Sequence, residues 1–329
     1  MARSTRFTAA VALAAALTLS ACGGDDGAGV TNLDSNTAGS GSAAGSGSGA
    51  GSGSGSGSGL GSGLQETSDN AAVTEAVEQY SAYVAEQAAE MSTLVTTFTD
   101  AVRAGDLEAA QAAYAPSRVP WERIEPIAGL IEALDGSMDA RVDDFAGVDD
   151  PEFTGWHRLE YLLFDQQTTE GAAEFADQLD TDVATLNTEL ENLTIPAAAV
   201  PVGASELIEE VSLGKITGEE DRYSKTDLWD LGANVEGSKQ AIAFLTPALA
   251  EANADLSTQI DEAFTELEAT LEPLRDGDGW VLYCVEDDEY PSDRCTEVTV
   301  EGATKEQIQA QTAALSELTA QVAGALGLE

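Results

Sequence analysis

The sequence predicts an all-α protein: an up-and-down helical bundle of two packed four-helix units, with a small disulfide-bridged hairpin inserted towards the C-terminus. Three observations point there. Over residues 73–102 an apolar stripe (Val73, Val77, Tyr80, Val84, Ala88, Met91, Val95, Phe98 and Val102) keeps spacings of three and four, the period of one helix face. Hydrophobic residues make up 43% of the 329-residue chain but aromatics only 6%, so the core must be mainly Ala, Leu and Val, which suits helices. Strand signals are confined to 279–300, where Trp280 to Tyr283 and then Thr296, Val298 and Val300 suggest a short hairpin.

The N-terminus reads differently. Arg3 and Arg6 precede an apolar run over 8–19 that ends in Leu19-Ser20-Ala21-Cys22, a lipobox. Residues 1–21 are therefore expected to be a lipoprotein signal peptide, with Cys22 acylated (palmitate among its chains) and anchored in the membrane. The alternative is an ordinary cleaved signal with an incidental cysteine. Residues 22–64 are almost entirely Gly, Ser and Ala and cannot bury a core; as a flexible tether they would span roughly 35 Å. The folded domain is expected over 65–329.

Within that domain Gly105 ends the first helix and Asp106 caps a second, expected to run to Tyr114. Further helices are predicted over 122–134, 153–164, 172–193, 203–213, 225–249, 255–274 and 304–326. With Cys22 assigned to the lipobox, Cys284 and Cys295 remain in an exported chain and should form a disulfide. A metal pair is the weaker reading, because no histidine or further cysteine lies nearby. Closing about ten residues contributes on the order of 2 to 3 kcal/mol. The loop is far in sequence from the candidate site below, so its reduction is expected to lower stability and leave metal binding intact.

Charge narrows the function. With 59 acidic and 14 basic residues the net charge is -45, which repels phosphate backbones and excludes nucleic acid as a partner, while concentrating cations. The single histidine, His157, stands three residues before Glu160, so on a helix the two share a face and can grip one cation. Imidazole with carboxylate suits iron, manganese, zinc or copper better than calcium or magnesium. On this pattern alone a histidine–glutamate ion pair accounts for the spacing better than a metal does. Helical spacing also pairs Glu122 with Glu125 and Asp139 with Asp143, though a chain this acidic makes such pairs readily.

Four ordered stretches change that balance. They are Arg118-Val119-Pro120-Trp121-Glu122-Arg123-Ile124-Glu125-Pro126; Asp139-Ala140-Arg141-Val142-Asp143; Phe153-Thr154-Gly155-Trp156-His157-Arg158-Leu159-Glu160; and Gly214 to Ser224 with Thr226-Asp227-Leu228-Trp229-Asp230. Together they resemble the EfeO/EfeM iron-uptake proteins of the imelysin-like group, defined by a Gly-x-His-x-x-Glu motif, over roughly 72–327. The resemblance implies an all-helical, extracytoplasmic protein that captures ferric or ferrous iron and delivers it to a membrane permease, with a haem peroxidase as a further partner. Zinc and copper are other metals such donors accept. With the spacing, it makes His157, Glu160, Glu122, Glu125, Asp139 and Asp221 the expected ligands, with Asp143 and Asp227 in reserve.

This sequence departs from the family pattern in three places. Many relatives carry an N-terminal cupredoxin-like domain where this chain has the export signal and tether, so oxidation of ferrous iron is expected to come from elsewhere. The segment between Tyr283 and Thr296 looks inserted, and Lys225 stands where the family commonly has histidine. The family was first described as metallopeptidases, but the His-Glu-x-x-His helix of zinc proteases is absent, so a binding protein is expected rather than an enzyme.

Overall fold

The computed structural model describes Leu60 and residues 63–328; the signal segment, Cys22 and most of the Gly/Ser tether lie outside the described residues. Most of the described chain is helical, with longer irregular stretches over 145–154, 218–226 and 281–301. Among the described residues no helix is long and apolar enough to cross a membrane.

Helix α1 (Ala71–Ala104) starts where the Asn70 side chain accepts from the Ala72 amide, and it buries the stripe read from the sequence except Val77, which is only half-buried while Ala76 is buried beside it. Asp106 caps α2 (Leu107–Ile124) by accepting from the Ala109 amide. The expected stop at Tyr114 is not made: α2 runs through Pro116 and Pro120. An interior proline costs roughly 3 kcal/mol, but here the helix is wedged against α1 and α7 and buries Tyr114, Arg118, Trp121 and Glu122, so tertiary burial overrides local propensity. The helix predicted over 122–134 is accordingly divided among the end of α2, a 3-10 turn (Glu125–Leu130) and the start of α3 (Glu132–Met138).

The remaining helices are α4 (Gly155–Glu160), continued by a π-helical turn (Tyr161–Asp165), then α5 (Ala173–Leu190), α6 (Ala199–Leu213), α7 (Asp227–Ala252), α8 (Ala254–Leu271), α9 (Gly302–Thr319) and α10 (Gln321–Leu326). One group packs α1, α2, α5 and α7 together; the other packs α6, α7, α8 and α9. Both groups thus share α7, and from Asp227 to Ser238 nearly every residue of that helix is buried. Two-residue connections such as Gly105-Asp106 suit antiparallel neighbours.

Two boundaries differ from the sequence reading. Leu60 is buried in the core and Leu64 packs against it, while the Ala197 and Ala198 amides donate to the Glu66 and Gln65 carbonyls, both at 3.1 Å. The folded body therefore takes in the last leucines of the Gly/Ser stretch. The hairpin forms earlier than expected, from β1 (Arg275–Asp276) and β2 (Gly279–Trp280). Residues 281–300 form no ladder; Thr299 and Val300 instead donate their amides to the one Cys284 carbonyl. The Cys284–Cys295 disulfide is present.

Helix α7 approaches α2 closely at Gly237, where an added Cβ would lie 2.1 Å from the Arg123 carbonyl oxygen. Alanine is the better helix former by about 1 kcal/mol. Gly237→Ala is nevertheless expected to lower the melting temperature, by the overpacking cost of about 1 to 3 kcal/mol; an unchanged or raised midpoint on thermal denaturation would contradict this packing.

Candidate metal centre

The wall of the site begins with Gly155, which opens α4 at φ 72, a left-handed value that disfavours side chains. A Cβ there would fall 2.1 Å from the Met138 carbonyl oxygen. That close approach lays the start of α4 on the end of α3, and so brings Asp139, just past α3, against His157 on α4. The His157 Nε2 lies 3.5 Å from Asp139 Oδ1 and 3.9 Å from Glu220 Oε1, and its Nδ1 lies 3.3 Å from Glu160 Oε2. All four side chains are buried.

The segment 218–226, between the 3-10 turn Lys215–Thr217 and α7, closes the other side. Its Tyr223 and Ser224 amides donate to Glu160 Oε1 at 2.8 and 2.7 Å, fixing the Glu160 carboxylate with one oxygen left towards His157. Asp221 accepts from the Tyr114 hydroxyl at 2.8 Å and from the Thr226 hydroxyl. Among the described residues, three groups of side chains stand close enough to share an ion: Asp139, His157 and Glu220; His157, Glu160 and Asp221; and Glu122, Glu220 and Asp230. His157 belongs to the first two, and its Nε2 has no aligned hydrogen-bond partner.

Beside this lies a second arrangement built on cations. The Arg118 guanidinium, wholly buried, donates to Glu122 Oε1 at 2.5 Å, to Asp230 Oδ2 at 3.1 Å, to Glu220 Oε1 at 3.2 Å and to Asp139 Oδ1. The Lys215 ammonium reaches Glu125 Oε2 at 2.8 Å and Glu122 Oε2 at 2.9 Å, and Asn234 donates to both of those carboxylates. Trp121 Nε1 holds the second oxygen of Asp139 at 2.8 Å.

These neighbours set the protonation. Burial would raise Asp139, but Arg118 and His157 overcome it and hold the carboxyl well below the usual range. Burial likewise opposes ionisation of Glu220, yet Lys215, Arg141, His157 and Arg118 bring it down to about 2. Burial and Arg118 both push His157 down, and the contacts with Asp139 and Glu160 more than offset them, raising it to about 9. Glu125 and Asp230 are carried well above their ordinary value by burial, which Lys215 and Arg118 only partly resist.

Of the six expected ligands, the structure gathers Asp139, His157, Glu160 and Asp221 around one centre. Glu122 belongs to the adjoining Glu220 and Asp230 group, and Glu125 lies behind it on Lys215. The helical pairing of Asp139 with Asp143 does not form: α3 ends at Met138, Asp139 is buried, and Asp143 lies half-exposed in a later 3-10 turn, paired with Arg222. Asp227 accepts from the Asp221 amide at 3.2 Å and backs that residue. The sequence reading missed Glu220, Asp230, Arg118 and Lys215. All four lie in the stretches that carry the family resemblance, but spacing alone does not reveal that the turn after Thr217 folds inward.

Sequence distance also misleads about the disulfide loop. In space it packs on the 218–226 turn, with the Tyr283 amide donating to the Lys225 carbonyl at 2.8 Å and Arg294 donating to the Ser224 carbonyl. The loop thus borders the centre that the sequence places far from it.

A helical bundle whose interior holds one imidazole among many carboxylates has the kind of donor set that bundle proteins assemble from side chains of facing elements. The comparisons with known proteins specify the class further. The Imelysin family model, labelled peptidase M75, matches residues 76–322, and the chain belongs to that family. It is 45% identical over 255 residues to the protein named iron uptake system component EfeO of Escherichia coli O157:H7, and 44% identical to those of Escherichia coli K12 and Shigella flexneri. The alignment covers 77% of this chain and 64% of each relative.

Two outcomes test the site's construction. Gly155→Ala forces a side chain onto a left-handed residue and into the Met138 carbonyl, so it should lower the melting temperature by at least the roughly 1 to 3 kcal/mol of such strain and displace His157 from Asp139, seen as shifted ring resonances of the single histidine. Asp135, on α3, is raised to about 8, chiefly by burial. Its folded value lies above its unfolded one, so its contribution favours folding at acid pH and is lost as pH rises from about 4 towards 8. Asp135→Asn should therefore raise the unfolding free energy at pH 8 by about 1 kcal/mol or more, the worth of one pKa unit, and leave it unchanged at pH 4.

Proposed function

We propose that this protein is an extracytoplasmic iron-binding component of an uptake system, which captures ferrous or ferric iron at the centre around His157 and hands it to a membrane permease. The observation that carries this reading is the His157 Nε2, buried without an aligned partner and facing carboxylate oxygens of Asp139 and Glu220. One nitrogen among hard oxygen donors suits iron. His157, Asp139, Glu160, Glu220 and Asp221 are the proposed ligands, with Glu122 and Glu125 supporting them through Arg118 and Lys215. The EfeO relatives are named as iron uptake components, which agrees with this assignment. Anchoring through Cys22 and the Gly/Ser tether would keep the domain near its permease, and a haem peroxidase of the same system is the expected further partner.

Hydrolysis is the weaker reading. Zinc peptidases of the His-Glu-x-x-His type use two histidines of one helix, and this chain has a single histidine. Calorimetric titration of the domain with ferrous iron under argon, and with zinc and copper for comparison, tests the proposal. Iron should bind, and His157→Ala should weaken it by more than about tenfold, the scale on which even indirect partners of a metal act. Equal affinity in the variant would remove His157 from the ligand set.

A further inference from the structure

We infer that the loop closed by Cys284 and Cys295 is a clasp that positions the metal-binding turn 218–226, acting through a buried ion pair between Lys225 and Asp288. The inference rests on the iron reading above. The turn carries Glu220 and Asp221 and gives two amides to Glu160. The disulfide-bridged region grips this turn and the residues leading into it along their length. Tyr283 donates its hydroxyl to the Ile216 carbonyl at 2.6 Å and its amide to the Lys225 carbonyl at 2.8 Å. Arg294 donates to the Ser224 carbonyl, on the other side of the residue whose amide holds Glu160, and Arg222 stacks on Tyr290 with its guanidinium carbon 4.4 Å from the ring centroid.

Lys225 concentrates the argument. Its backbone sits at φ 60, a left-handed value that a residue with a side chain keeps only where its surroundings hold it. Its side chain is wholly buried, and its ammonium lies 2.8 Å from Asp288 Oδ2, as an ion pair rather than an aligned hydrogen bond. A buried ammonium without a countercharge is strongly disfavoured. Asp288 lies inside the disulfide-closed loop. The lysine in the turn and the disulfide-closed loop are thus two halves of one contact. Asp288 and Lys225 are positioning residues: neither belongs to the ligand groups around His157, and both fix the turn that carries the ligands.

The test compares wild type with Asp288→Asn, Lys225→Gln, the double variant and Asp288→Glu. Two readouts are taken: ferrous iron affinity, and the ring resonances of His157 in metal-free protein. Each neutralising single change should weaken iron about 10- to 100-fold, the effect of losing a partner one step removed from a metal. The double variant should lose no more than the singles, and Asp288→Glu should recover most of the affinity. Reducing the disulfide in folded wild type with an excess of a dithiol, which is itself oxidised to its disulfide, should weaken iron in the same direction; this covers the case in which a variant fails to fold. Iron bound with wild-type affinity and unshifted His157 resonances in every variant, and after reduction, would overturn the clasp. If wild type binds no iron but the variants shift His157, the iron reading fails and the clasp stands. If neither occurs, both fail.

Discussion

The buried guanidinium of Arg118 is the contact on which the interior depends. It draws carboxylates from α2, from the end of α3, from the turn before α7 and from α7 itself onto one group. Charges taken out of water in this number are tolerable only when paired and hydrogen-bonded, and Arg118 with Lys215 supplies that pairing where α2, α7 and the inward turn meet. The cost of keeping α2 helical through two prolines is understandable in this light, since stopping at Tyr114 would leave Arg118 outside the helix that aims it.

The same arrangement explains why the centre is strongly polarised. Acidic groups outnumber the permanent cations around His157, so some carboxyls are held ionised by Arg118, Lys215 and Arg141 while others are driven towards the neutral form by burial. His157 itself is held as imidazolium by Asp139 and Glu160. A metal ion bound here would compete with that proton for the ring, and it would bring more positive charge to the carboxylates than the proton does. The excess of acids around the ring is thus a feature that an incoming cation relieves.

Much of this was legible in the sequence. The α1 stripe, the cap at Asp106 and the helices predicted over 225–249 and 255–274 follow local rules that packing merely confirms. His157 with Glu160 follows from helical spacing. Asp139 was found for the wrong geometric reason: the helix that would have paired it with Asp143 ends before it, and Gly155 pressing on Met138 is what brings it to the histidine. Glu220 and Asp230 were not legible because their approach depends on the path of an irregular turn and on α7 lying across α2, neither of which leaves a periodic trace. The extent of α2 beyond Tyr114 was not legible because two prolines follow there, and only packing against α1 and α7 holds the helix through them.

Helix α7 begins at the candidate metal centre and, with 26 residues at 1.5 Å each, extends about 39 Å away from it. It is at once the inner wall of one helical group and the inner wall of the other. Neither group can shed its core without exposing the same helix, so the two are expected to melt as a single cooperative unit. The centre inherits that rigidity. Asp227 and Asp230 sit on the first turn of a strut clamped along its length, and their positions relative to Arg118 are set by the stability of the whole bundle rather than by the loops around them.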